Sequence, residues 1–197
     1  VVLVVILAAV FGLLFMGLPR AKAKAQNQQC RNILKSVGLA FRQWSTDSSD
    51  AYPMRRPISL GGAMESATNS DVAFTFVVMS NELNTPKILI CPADVRAPAT
   101  NFGPGFANAN LSYFVGVTAE ETQPQMLLLG DRNLTNGPLS PERLLRLTTN
   151  STPGWNHELH RFQGNVALAD GSVQSLDTPR LRVAVTNSGA DNLLAFP

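Results

Sequence analysis

Eighteen consecutive positions at the start of the chain, VVLVVILAAVFGLLFMGL, carry no polar side chain. As an α-helix rising about 1.5 Å per residue, this run spans about 27 Å, close to the ~30 Å hydrocarbon core of a bilayer. A helix that is apolar all round has no solvent face, so lipid or other helices must cover it. Arg20, Lys22 and Lys24 follow at once and sit where long basic side chains reach the headgroups. Ala21-Lys22-Ala23 resembles a signal-peptide cleavage site, but no basic n-region precedes the run and the run exceeds an ordinary h-region. A retained membrane or bundle helix is the expectation.

Helical character continues beyond this run. Between Arg20 and Trp44 the residues are mostly Ala, Lys, Gln, Arg and Leu, and no proline interrupts them. Cys30, Ile33, Leu34, Val37, Phe41 and Trp44 step by three and four, which is one helix face. Pro19 lacks an N–H and clashes with the preceding turn, and Gly12 and Gly17 weaken the same stretch. A kink or break is expected between Gly12 and Pro19. The polar run Ser45-Thr46-Asp47-Ser48-Ser49-Asp50 ends the helix ahead of Tyr52-Pro53. Three regions follow: an apolar helix half over residues 1–25, an amphipathic half over 26–52 packed on a head, and the head itself over 53–197.

Charge and composition narrow the function classes. Residues 1–56 hold eight Lys/Arg against two Asp/Glu, and the remainder holds eight against twelve. The basic excess therefore belongs to the stalk, and no global polycation for nucleic acid is present. With 45% apolar and 15% charged residues the chain is not intrinsically disordered. The head reads as α+β. Residues 70–83 read as a short helix with a Ser70-Asp71 start signal, with strand left open by their Val and Phe, and residues 87–91 (KILIC) suggest a strand closed by Pro92. Residues 93–110 are a turn-rich loop, and 112–117 and 125–130 are two strands. Ser140-Pro141-Glu142 opens a helical turn through Leu145. In residues 164–176, GNVALADGSVQSL, Asp170-Gly171 predicts a two-residue type I′ hairpin pairing Leu168 with Val173. Val166, Leu168 and Val173 then share one face.

From His160 to Gly171 the sequence reads HRFQGNVALADG, a histidine, nine residues, then Asp-Gly. This resembles the H-X9-DG domain at the C-terminus of bacterial type IV pilin-like and type II secretion pseudopilin-like proteins. Other stretches agree in the same order. The apolar helix leads through Leu18-Pro19-Arg20 into Cys30-Arg31-Asn32-Ile33-Leu34-Lys35. Cys91-Pro92, then Asn110-Leu111-Ser112-Tyr113-Phe114-Val115-Gly116, then Gly130-Asp131-Arg132-Asn133 follow.

The resemblance implies a type IV pilin-like α+β fold, a long N-terminal helix kinked near Pro19 and docked on a small antiparallel-sheet head with long loops. It implies a structural subunit that polymerises through its helix into a helical filament, with Val1, Val4, Leu7, Phe11, Leu14 and Leu18 in the packed segment. A heterologous contact that does not close generates such an open polymer. The implied partners are further copies of the chain, the inner membrane before assembly, prepilin peptidase, and pilus or secretion machinery. The implied destination is an extracellular filament or a periplasmic pseudopilus. Family members begin with a methylated aromatic residue and carry a glutamate at the fifth position. This sequence has no acidic residue before Asp47, so a few mature residues are expected to precede Val1. A pilin-like topology also places Cys30 and Cys91 on the oxidising side, and Cys30 shares the apolar helix face. A disulfide between them is expected, closing about 60 residues and worth roughly 4 kcal/mol in the chain-entropy model.

The candidate chemistry is sparse. His157-Glu158-Leu159-His160 brings its second histidine one residue too early for the zinc-protease motif, and Pro153-Gly154 argues against a helix there. Asp94, Asp131 and Asp170 could supply oxygens to calcium, but no D-x-D-x-D-G run supports it. No nucleophile elbow and no phosphate-binding glycine loop occurs. No enzyme activity, metal or cofactor is expected, and His160 reads as a structural partner close to the Asp170-Gly171 turn. A membrane-anchored periplasmic enzyme or binding module, with the hairpin as its site, is the alternative.

Overall fold

The computed structural model describes residues 2–197, and of residues 2–17 the helical backbone alone. Helix α1 (Val2–Asp47) is about 70 Å long at the usual rise per residue. Its buried stripe is the one legible in the sequence: Cys30, Leu34, Val37, Phe41 and Trp44 are buried. Each full burial of such an apolar side chain is worth about 1.5–3 kcal/mol. Residues 18–29 contain no buried position, so the helix leaves the hydrophobic core of the head at Cys30.

Of the kink or break expected near Pro19, the break does not occur. α1 is continuous from Val2 to Asp47 with Pro19 inside it. Proline there removes one rung of the ladder, and the strong helix formers that follow resume it. Gly12 and Gly17, and Val1, Val4, Leu7, Phe11 and Leu14 of the expected polymerising segment, lie outside the residues described with side chains. Leu18 is exposed. Among the described residues no helix is long and apolar enough to cross a membrane. The helix ends where Ser49 and Asp50 both turn to positive φ and Asp50 N–H donates back to the Ser45 carbonyl.

The head is α+β. One antiparallel sheet of six strands contains β1 (Tyr113–Gly116), β2 (Leu127–Asp131), β4 (Leu144–Leu147), β6 (Gln163–Leu168), β7 (Val173–Asp177) and β8 (Asn192–Ala195), in the order β4-β8-β1-β2-β6-β7. A two-stranded ribbon pairs β3 (Leu134–Thr135) with β5 (Gly154–Trp155). On one face of the large sheet α1 packs with the short helices α2 (Met64–Thr68), α3 (Val72–Val78) and α4 (Ser80–Leu83), around Phe41, Tyr52, Phe76 and Tyr113. On the other face, helix α5 (Thr178–Asn187) lays Leu181 and Val185 over Phe114, Val166 and Leu168. Both faces of the sheet are covered, so β1 and β2 are buried at every position.

Several local expectations need correction. Within residues 70–83 the helix reading holds and the strand option falls: α3 and α4 follow one another, the first started by Asp71, whose carboxylate accepts from Phe74 N–H. The apolar run before Cys91 is no strand: Pro86–Leu89 is a 3-10 turn capped by Thr85. Ser140-Pro141-Glu142 opens no helix, because Arg143 has φ 57° and the chain enters β4 at once. The Asp170-Gly171 hairpin forms, but its register is shifted by one. Val173 lies opposite Ala167, not Leu168, and of the two turn residues Gly171 alone has positive φ, at 82°. This is a three-residue loop with a left-handed glycine, not a type I′ turn. The slip moves Val173 to the α1 side, away from Val166 and Leu168.

Candidate functional site

Four segments meet under the first buried turn of α1. Cys30 comes from the helix. Cys91 stands just beyond the 3-10 turn, Asp131 is the last residue of β2, and His160 lies in the loop between β5 and β6. Their ligating atoms all fall within 4.8 Å of one another, and their side chains are buried. Cys30 Sγ donates to Asp131 Oδ1 at 3.1 Å and lies 3.5 Å from the Tyr113 hydroxyl. Cys91 Sγ lies 3.3 Å from His160 Nε2, which is 3.4 Å from Asp131 Oδ2.

Outer contacts fix each of these groups. Asp131 Oδ2 accepts from the backbone N–H of Asn165 at 2.7 Å and from its side-chain amide at 2.9 Å. Ala93 N–H donates to Cys91 Sγ at 3.5 Å. Gln26 donates to the Pro92 carbonyl at 2.8 Å, tying α1 to the Cys91 loop. Arg161 and Phe162, directly after His160, both hold positive φ, at 53° and 63°.

The same segments carry a second set of contacts further out. Arg132 donates through Nε and Nη2 to the two oxygens of Asp94, at 2.8 and 2.9 Å, and through Nη1 to Glu158. Asp94 is inaccessible to solvent. Cys91 and Asp94, Asp131 and Arg132, and His160 and Glu158 thus serve two adjacent networks from three stretches of chain.

The electrostatics follow from burial. Burial first, then the negative charge of Cys91, raises Asp131 to about 6. Burial also pushes the Cys30 thiol far up. The neighbouring Cys30 thiol pulls Cys91 down, and His160 adds to that pull. His160 is raised: burial works against its charge, but Cys91 and Asp131 outweigh it. Cys91 and Asp131 both meet His160 at Nε2, unlike a nucleophile triad, in which the carboxylate holds the other ring nitrogen.

No family model, no curated protein and no solved structure matches the chain. The site therefore rests on its own geometry.

That geometry revises several sequence expectations. Cys30 and Cys91 are brought together but are free thiols, not a disulfide. Each sulfur is directed to another partner, Cys30 to Asp131 and Cys91 to His160. His160 is not beside the Asp170-Gly171 turn: it precedes β6, and the turn follows it. Asp170 instead caps its own turn by accepting from Ser172 N–H, and its carbonyl accepts from Arg42. His157 lies beside the Phe162 ring and is not one of the clustered side chains. Asp94, Asp131 and Asp170 do not converge as calcium ligands. Among the described residues, Cys30, Cys91, Asp131 and His160 form the one group of three or more His, Cys, Asp or Glu side chains with metal-ligand spacing. The sequence signal for it was present but dispersed. Each of the four residues lies in a different stretch that carried the family resemblance, and Tyr113 lies in a fifth.

Proposed function

We propose that the chain is a pilin-like structural subunit that polymerises through its apolar N-terminal helix into a helical filament. Before assembly the helix sits in the inner membrane, where prepilin peptidase and assembly machinery act on it. Afterwards it packs among the helices of other copies, in a surface fibre or a periplasmic pseudopilus. The observation that carries this reading is the division of α1. Its buried stripe begins at Cys30, while residues 18–29 bury no side chain in the head and touch it only through polar contacts such as Gln26 on the Pro92 carbonyl. Residues 1–18 have no polar side chain, and a helix that is apolar all round needs lipid or neighbouring helices to cover it.

Electron microscopy of sheared cell-surface and periplasmic material tests the proposal, comparing the full chain with a chain beginning at Gln26. The full chain forms filaments that label with antibody to the head, and the shortened chain stays soluble and monomeric. Filaments of the shortened chain at similar concentration, or a full chain that stays dispersed in the membrane when the assembly machinery is present, refute the proposal.

A further inference from the structure

We propose that Cys30, Cys91, Asp131 and His160 bind one zinc ion that staples α1 to the head. The ligand set carries the argument. Zinc takes four ligands at about 2.0–2.3 Å, which places ligand atoms about 3.3–3.8 Å apart at the edges of a tetrahedron. Two edges of such a tetrahedron are already near this length, Cys30 Sγ to Asp131 Oδ1 at 3.1 Å and Cys91 Sγ to His160 Nε2 at 3.3 Å, and no pair of ligating atoms exceeds 4.8 Å. Slight outward movement of the side chains opens the central position. Two sulfurs and an imidazole are soft and borderline donors that suit zinc and exclude calcium or magnesium as the preferred ion.

The surroundings are those of a metal site. Asn165 donates twice to Asp131 Oδ2, leaving Oδ1 directed at the cluster, and Tyr113 and Ala93 lie against the two sulfurs. Such outer hydrogen bonds orient ligands and offset the excess negative charge of two thiolates and a carboxylate around a divalent ion. The adjacent pair Arg161 and Phe162 holds the left-handed conformation that non-glycine residues avoid. It turns the chain so that the His160 ring, 3% exposed, faces inward. A cleft of about 590 Å³ between residues 19–28 of α1 and the loop holding His160 reaches that residue, giving the ion a way in. On binding, the cluster's thiol and imidazolium protons leave to solvent, and all four protein positions close around the ion. With no open position for water or substrate, the role is structural. A disulfide would use the two sulfurs and leave Asp131 and His160 buried against each other without a task.

The full chain, purified in detergent without chelator, is measured by elemental analysis, by thiol alkylation and by mass spectrometry without reductant. The expected result is about one zinc per chain, with both thiols alkylated only after chelation. Cobalt exchanged into the site gives thiolate-to-cobalt charge transfer and the visible bands of a tetrahedral ion. Cys91→Ser and His160→Gln each lower zinc content at least tenfold, as the loss of a ligand requires. Should either variant fail to fold, the unaltered chain decides: chelation lowers its melting temperature, and zinc restores it where magnesium does not. Background zinc with freely alkylated thiols overturns the proposal, as does a Cys30–Cys91 disulfide. Zinc retained in full by both folded variants overturns it too, since the ion would then sit elsewhere.

Discussion

Arg132→Met isolates the cost of leaving a carboxylate alone inside the head. Methionine keeps much of the aliphatic stem and removes the guanidinium that spans both oxygens of Asp94. Asp94 is inaccessible and Arg132 only 16% exposed, so water does not replace the lost partner. Two neutral donors remain, the Ser112 hydroxyl at 2.8 Å and the Arg96 backbone N–H at 3.3 Å. Breaking a buried ion pair from one side costs about 3–5 kcal/mol, and these donors set the expectation near about 3. That is a large fraction of the ~5–15 kcal/mol that holds an ordinary domain together. Glu158, 44% exposed on the same guanidinium, supplies the control: Glu158→Gln costs under about 1 kcal/mol.

The sign with pH follows from Asp94. Burial opposes its charge, but the hydrogen bonds and charge of Arg132, helped by Ser112, outweigh burial and hold its carboxyl below the usual value of 3.8. A carboxyl depressed on folding contributes stability that is present above its unfolded value and lost as pH falls through its folded one. The deficit of Arg132→Met is therefore full at pH 7 and shrinks below about pH 4. Urea titrations followed through buried Trp44 and Trp155 read it out. The chain beginning at Gln26 serves here, since no described residue before Gln26 is buried. A deficit under about 1 kcal/mol at pH 7, or one that grows on acidification, would refute the reasoning.

Gly116→Ala places a Cβ 1.8 Å from the Leu127 carbonyl oxygen, a clash between two backbones that no rotamer relieves. Loss of about 3 kcal/mol or more, or insoluble protein, is expected, and a melting temperature within a few degrees of the unaltered chain would contradict it. Gly171→Val puts a β-branched residue at φ 82° and should cost about 1–2 kcal/mol, while Gly171→Asn should cost under about 1 by the same titration. Tyr52→Phe removes a buried hydroxyl that donates to the Ala169 carbonyl at 2.8 Å, and about 1 kcal/mol should go with it. Equal stability of Tyr52→Phe and the unaltered chain would mean the bond contributes nothing net.

Local pattern carried the reading furthest where structure is local. The stripe from Cys30 to Trp44 is legible because helix periodicity and burial coincide there, and Asp71 announces its helix by capping it. Asp170-Gly171 announced a turn, but whether two or three residues close it depends on what both faces of β6 bury, and Ala167 and Val173 meet α1 only in the folded molecule. β8 was invisible for a related reason. Asn192–Ala195 is inserted between β4 and β1, strands distant in the chain, so neither neighbour nor register is encoded nearby. In α5 a single turn-spaced pair, Leu181 and Val185, is buried, too little periodicity to stand out. The Cys30, Cys91, Asp131 and His160 cluster has no spacing motif, since four separate segments supply one residue each. Spacing arguments see only metal sites whose ligands share a helix or loop, which is why His157 and His160 drew attention and Cys91 with His160 did not.

Among the described residues of α1, Cys30 is the first buried one met when the helix is followed from Leu18. A pull on residues 18–25 runs along the helix, past the hydrogen bond of Gln26 to Pro92, and enters the buried core there, before Leu34, Val37 or Phe41 feels it. Apolar contacts shear apart one turn at a time, whereas Cys30 is held from several directions by Asp131, Tyr113 and, through the cluster, by Cys91 and His160. Peeling therefore meets its stiffest anchor at the outset. In single-molecule stretching, the head should resist up to one threshold and then release the helix in a single event, and a Cys30→Ala chain should instead yield gradually at lower force.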